Sequence, residues 1–287
     1  MEGHPDKPTP VLIFFHGGGF LGGNKSNLDA NLLDQCIKAG ISVASSNYCL
    51  STQAPFPAPM LDGARAVQFL RAIAATWNLD PAKIAAAGGS AGAGMSLWIG
   101  FHDDLADPSS PDPVLRQSSR LCCMGVFGAQ CSYDLRFIKE QIGGRAYEHV
   151  AFPSFYGLKP EEFDTPRAYK AFEEASAINY ATADDPPVFM YYTDPEDPLP
   201  PGPHPGPGIY YPGFGQIAKG QPRPGTGIHH PKFGRILKAK LDTLNIECVV
   251  RHQKEYAQSP NPAQAANREL VEFLSRHFAD SSKKVLR

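Results

Sequence analysis

The sequence predicts an α/β protein, with a mostly parallel central sheet flanked by helices on both faces. Three observations carry that expectation. Apolar runs of strand length alternate with segments of helical spacing, and strand–helix–strand order closes into a parallel sheet whose crossovers cover both faces. Two glycine clusters each follow directly on one of those runs. The chain has 287 residues, 42% hydrophobic and 20% charged, which suffices for one domain of this class with a sizeable core.

Residues 11–15 are continuously apolar and read as a buried strand running into His16-Gly17-Gly18-Gly19-Phe20. Residues 27–39 alternate apolar and polar side chains at helical spacing and stop at Gly40, and residues 41–45 are the next strand. Residues 62–78 form a helix whose apolar face is Val67, Leu70, Ile73, Ala74 and Trp77, closed by Asp80-Pro81. The small residues from Lys83 onward then lead through Gly88-Gly89-Ser90-Ala91-Gly92 into helix-compatible sequence. Residues 121–127 are another buried strand. Residues 134–180 are irregular and read as a lid or insertion. Its aromatic residues, Phe152, Phe155 and Tyr156 among them, suit an acyl pocket or a satellite core equally. Residues 187–193 are a further strand, residues 231–244 a helix, residues 246–252 the last strand and residues 263–278 the terminal helix, entered through Asn261-Pro262.

Between the last two strands lies an unusual tract. Of the 28 prolines, 13 fall between Pro186 and Pro231, which forbids regular helix or sheet there. Residues 198–228 therefore read as a surface insertion. It holds a short tandem duplication, since residues 209–219 match residues 228–238 at an offset of 19.

Two motifs carry chemistry. Gly88-Gly89-Ser90-Ala91-Gly92 fits G-x-S-x-G, the strand–turn–helix bend that lifts a serine hydroxyl clear of a sheet. Glycines two residues either side let strand and helix backbones pass closely, and the helix N-terminus favours a developing anion. Taken alone, the same residues describe a Gly/Ala-rich turn with an incidental serine. The upstream Gly17-Gly18-Gly19 after a strand supplies the complement: backbone N–H groups of Gly17 and Gly18, with that of Ala91, able to hold an oxyanion. His16 suits bracing that loop better than proton transfer.

With these residues in view, the chain resembles the α/β-hydrolase fold, and within it the hormone-sensitive-lipase-like esterases. The likeness rests on residues 16–20, Asn47-Tyr48, Phe56-Pro57, Asp62, the serine bend and residues 186–190. It implies a single α/β-hydrolase domain over residues 1–287 and a carboxylic ester hydrolase using a Ser–acid–His set in that chain order. It also implies two antiparallel edge strands ahead of residues 11–15, which this sequence lacks. A sheet edge left bare in that way is open to pairing with a second copy, so a homodimer is one expectation. The family carries aspartate where Gly89 stands and glycine where Ala93 stands.

The resemblance nominates Asp197 as the acid, a few residues past the strand at 187–193, with Asp194 as the alternative and Glu196 behind both. It places the base in the loop after the last strand, where residues 253–260 contain no histidine. His252, at the strand end, is the expected base, and His230 and His229 at the start of the preceding helix are the alternatives. The expected activity is hydrolysis of small, uncharged acyl esters without metal or cofactor. The missing loop histidine keeps a non-catalytic, ligand-binding hydrolase fold open beside it, and amide or thioester substrates are not separated from esters.

A net charge of −2 argues against a nucleic-acid partner, which needs a basic face. Neither an N-terminal leader pattern nor an 18-residue apolar run is present, so neither a signal peptide nor a membrane span is expected. Six cysteines, without C-x-x-C spacing and mostly within apolar sequence, read as reduced core residues and point to a cytoplasmic setting.

Overall fold

Six parallel strands in the order β2-β1-β3-β4-β5-β6 form the centre of the protein, as seen in a computed structural model that describes residues 7–196 and 227–280. The strands are β1 (Thr9–Phe15), β2 (Ser42–Ser46), β3 (Leu79–Gly89), β4 (Met124–Phe127), β5 (Val188–Tyr192) and β6 (Cys248–His252). Three helices join them at first: α1 (Ala30–Lys38), α2 (Ala58–Ala72) and α3 (Ala91–Phe101). The irregular stretch after β4 contains α4 (Leu135–Phe137), α5 (Phe152–Tyr156) and α6 (Pro166–Ala175), and α7 (Lys232–Thr243) and α8 (Pro262–Asp280) complete the chain.

Side chains alternate along every strand, and the alternation sorts the core into two layers. Val11, Ile13 and Phe15 of β1 join Ile84, Val126, Met190 and the helices α2, α3 and α7 in one cluster. Leu12, Phe14, Ala85, Cys123 and Phe189 face the other way, against Leu32 and Cys36 of α1 and Leu270 and Leu274 of α8. A strand buried on both faces needs near-continuous apolar sequence, which explains the runs seen in β1 and β5.

Helix positions follow local signals with two exceptions. The Asp29 side chain accepts the Leu32 N–H at 2.8 Å and caps α1, which therefore starts at Ala30 rather than at residue 27. Helix α2 begins at Ala58 and ends at Ala72, ahead of the stretch 62–78 that spacing suggested. Beyond Ala72 the chain turns, so Trp77 leaves the apolar face and is 59% exposed.

Strand order also fixes where a site can form. From β1 the chain moves outward to β2, then crosses back over β1 to β3 and continues in the opposite direction. The loops leaving β1 and β3 therefore part at the carboxyl edge of the sheet, the place where open α/β sheets form their clefts. Those two loops carry Gly17-Gly18-Gly19 and Ser90.

Candidate active site

Ser90 stands at the apex of the bend between β3 and α3 with φ 52° and ψ −114°, a conformation that a non-glycine residue adopts only when its surroundings impose it. Its own N–H donates to the Phe127 carbonyl of β4 at 2.9 Å, and its carbonyl accepts from Gly94 at 3.0 Å. Glycine is required beside it. A Cβ on Gly92 would lie 2.0 Å from the Phe15 carbonyl oxygen, and one on Gly88 would lie 2.4 Å from the Gly92 carbonyl carbon. The bend is thus wedged between the end of β1 and the first turn of α3.

The glycine loop packs directly on the serine. A Cβ on Gly17 would sit 3.4 Å from Ser90 Cβ. The Tyr48 hydroxyl donates to the His16 carbonyl at 2.7 Å, its ring stacks on His16 at 4.3 Å, and His16 Nδ1–H donates to the Gly17 carbonyl at 2.8 Å. The amides of Gly17, Gly18 and Ala91 donate to no acceptor among the described residues. That leaves three N–H groups near Ser90 with unused capacity.

An imidazole does reach the serine, and it is His229. Its Nε2 lies 2.8 Å from Ser90 Oγ. His229 packs on Gly128, the residue after β4, where a Cβ would come within 3.2 Å of the ring. The Gln130 side chain fixes this approach: its Nε2 donates to the Gly128 carbonyl at 2.9 Å and to the Ile228 carbonyl at 2.6 Å. Burial holds the His229 imidazole below the ordinary histidine range, and the Asp194 carboxylate partly offsets that. The Asp194 effect acts through space, for no direct hydrogen bond joins the two side chains among the described residues.

The expected base stands elsewhere. His252 ends β6, three strands from β3, a separation of roughly 14 Å at the usual strand spacing. Its Nδ1 accepts the Lys254 N–H at 3.3 Å, which leaves Nε2 to donate to the Asp194 carbonyl at 2.9 Å. Gln253 Nε2 donates to the Thr193 carbonyl at 2.6 Å. The end of β6 therefore anchors the loop after β5 and makes no bond to Ser90. His230 is buried at the start of α7, its Nδ1 accepting the Lys232 N–H at 3.0 Å. Glu196 is paired with Arg235 and, at 3.7 Å, with Lys254. Asp197 lies outside the described residues, as does most of the 198–228 insertion.

Beside Ser90 opens a pocket with about 320 Å³ of empty space, part of it open to solvent. Phe20, Tyr133, Phe152 and Phe155 line it, with Gln130, His149 and Ile228. Part of the aromatic insertion thus faces the serine, while Tyr156 and Phe172 pack into the core. His149 and Gln130 were not singled out from sequence. Gln130 stands among small residues and His149 directly after Glu148, neither of which marks a site until the fold brings them beside Ser90. Among the described residues no group of three His, Cys, Asp or Glu side chains is arranged to hold a metal ion. All six cysteines are free thiols, and no described helix is long and apolar enough to cross a membrane.

A strained serine against a glycine loop on a parallel sheet is the arrangement expected of an α/β-hydrolase, and comparison with known proteins shows that fold. The BD-FAE family matches residues 1–201. The chain belongs to that family, and among its relatives are proteins named as esterases. Esterase LipQ of Mycobacterium tuberculosis is 27% identical over 199 residues, which is 69% of this chain and 44% of that protein. Carboxylic ester hydrolase LipN of the same organism is 30% identical over 131 residues, 42% of this chain and 35% of that protein. The chain thus spans less than half the length of either relative. An acetyl ester-xyloside bifunctional hydrolase from Caldicellulosiruptor lactoaceticus shares the fold with a TM-score of 0.66 at 19% identity, over 94% of this chain and 84% of that one.

Proposed function

We propose that this protein is a serine carboxylesterase acting on small, uncharged acyl esters through an acyl-enzyme intermediate. The 2.8 Å approach of His229 Nε2 to Ser90 Oγ carries the reading. A nucleophilic hydroxyl needs a neutral base within hydrogen-bond reach, and burial favours the neutral form of His229. In the first half-reaction Ser90 Oγ attacks the ester carbonyl while His229 takes its proton. The amides of Gly17, Gly18 and Ala91 receive the oxyanion. Asp194 stabilises the imidazolium, which returns the proton to the departing alkoxide. Water then attacks the acyl-enzyme by the same route, releasing the acid and restoring Ser90. The base and acid are thus His229 and Asp194, with His252 holding the Asp194 loop. The substrate is a small-molecule ester, in keeping with the named activities of the relatives.

Hydrolysis of p-nitrophenyl butyrate by the wild type and by Ser90→Ala, His229→Ala and His252→Ala tests this assignment. The first two variants are expected to lose about 10³-fold or more in kcat, and His252→Ala to lose less. Fluorophosphonate should label the wild type at Ser90. Wild-type activity retained in His229→Ala would remove that residue as the base. A wild type that neither hydrolyses the ester nor takes the label would leave a ligand-binding hydrolase fold in its place.

A further inference from the structure

The pocket beside Ser90 holds a second imidazole that the hydrolytic cycle does not use. His149 lines it together with Gly19, Phe20 and Phe152. Its Nδ1 accepts the Ala151 N–H at 3.3 Å, which puts the proton of the neutral ring on Nε2. Among the described residues Nε2 donates to nothing. Burial, with the neighbouring His229, holds this imidazole down at about 4, from an ordinary 6.5, so it is neutral at neutral pH. The segment carrying it is well tied: the His149 N–H donates to the Ala146 carbonyl at 3.2 Å, and its carbonyl accepts from Phe152 at 3.1 Å. The ring rests against the glycine loop, its Cε1 3.5 Å from where a Cβ on Gly19 would stand. An N–H in a wall built largely from Phe20, Tyr133, Phe152 and Phe155, with Gln130 as its other polar side chain besides Ser90, loses its water when a ligand enters, and an unpaired donor there is costly.

We propose that His149 is a substrate-positioning residue whose Nε2–H donates to an uncharged ether or hydroxyl oxygen carried by the ester near its scissile bond. The proposal rests on the esterase reading above and narrows it. The site favours esters bearing such an oxygen over alkyl esters of the same shape, because only the former satisfy the donor.

Two isosteric pairs test it, with kcat/KM measured on the full chain. In p-nitrophenyl methoxyacetate against p-nitrophenyl butyrate the added oxygen lies in the acyl part. In 2-methoxyethyl acetate against butyl acetate it lies in the alcohol part. Intrinsic reactivity cancels when each variant's oxygenated-to-alkyl ratio is divided by that of the wild type. His149→Phe keeps a ring and removes the donor, and is expected to lower the ratio of one pair about five- to tenfold, the size of one neutral hydrogen bond. His149→Gln, whose amide nitrogen can stand in for Nε2, is expected to restore it. The pair that responds identifies the part of the ester that His149 reads. Unchanged ratios in both pairs overturn the proposal. So does an equal loss on both members of each pair, which would make His149 a structural part of the insertion. Fluorophosphonate labelling of Ser90 separates the two readings: an unlabelled wild type defeats the esterase assignment, and a labelled one with indifferent ratios defeats only the role of His149. If the phenylalanine variant does not take the label, His149→Leu carries the same expectation.

Discussion

Ser90 and His229 are held by opposite means. The serine is fixed by backbone strain, at φ 52°, that the surrounding close contacts impose at a cost of about 1–3 kcal/mol. The histidine is fixed from outside, by the Gln130 side chain gripping the Ile228 carbonyl and by contact with Gly128. Its basicity is a balance in which burial lowers and Asp194 raises. Removing the carboxylate therefore has a signed consequence. Asp194→Asn is expected to lower kcat roughly 10²-fold or more, since the imidazolium loses its counter-charge. The same change should move the acid limb of the kcat/KM profile to lower pH, because the raising influence is gone. A pH–rate profile of the variant beside the wild type checks both, and a limb that moves upward would exclude Asp194 as the acid. The serine was legible in the sequence because strand, turn and glycines lie within a dozen residues. The base was not. Which imidazole meets Ser90 depends on where the chain re-enters after residues 198–226, and order along the sequence favoured His252, whose strand turns out to be three positions away.

At the scale of elements, the unit that matters is β1 against β3 and α3. Phe15 ends β1 with its carbonyl 2.0 Å from a notional Gly92 Cβ, so the strand, the bend and the helix occupy one another's space without slack. Gly92→Ala is expected to destabilise by about 1–3 kcal/mol or more, as overpacked sites do, and to abolish fluorophosphonate labelling. Gly89 is the contrast. Nothing lies within 4 Å of a Cβ there, although the resembling family places a larger side chain at that point. Gly89→Ala is expected to add about 0.4–1 kcal/mol by restricting the unfolded chain. Urea unfolding of both variants checks the pair, and a destabilising Gly89→Ala would show that the bend needs glycine on both sides of the strand end. Element legibility follows the same logic. Strands buried on both faces announced themselves as apolar runs, and β1 and β5 lie within a residue or two of their expected places. Helix α2 was misplaced because spacing continued to Trp77 after the backbone had left the helix at Ala72.

Over the whole molecule the sheet is uniformly parallel and its layers are continuous, so the fold class was legible from element order alone. What the fold adds is two neighbouring imidazoles partly withdrawn from water, His149 in the pocket wall and His229 against Ser90, and that has a consequence for stability. His149 drops from 6.5 to about 4 and His229 is also lowered, both chiefly by burial. In each case the native state disfavours the charged ring. Between pH 6.5 and about 4 the unfolded chain therefore binds protons that the folded chain refuses. Unfolding free energy rises with pH wherever the unfolded state binds more protons, by up to about 1.4 kcal/mol per pH unit for each such group. The His149 contribution to stability is thus complete above pH 6.5 and falls as the pH drops toward 4, where the native ring begins to titrate. Carboxylates contribute mainly near the lower end of that window, so His149→Phe isolates the imidazole: its urea midpoint is expected to decline less between pH 7 and 5 than that of the wild type. Parallel declines in the two proteins would mean that the pocket stays wet enough to keep this ring ordinary, and the costly unpaired donor on which substrate reading depends would go with it.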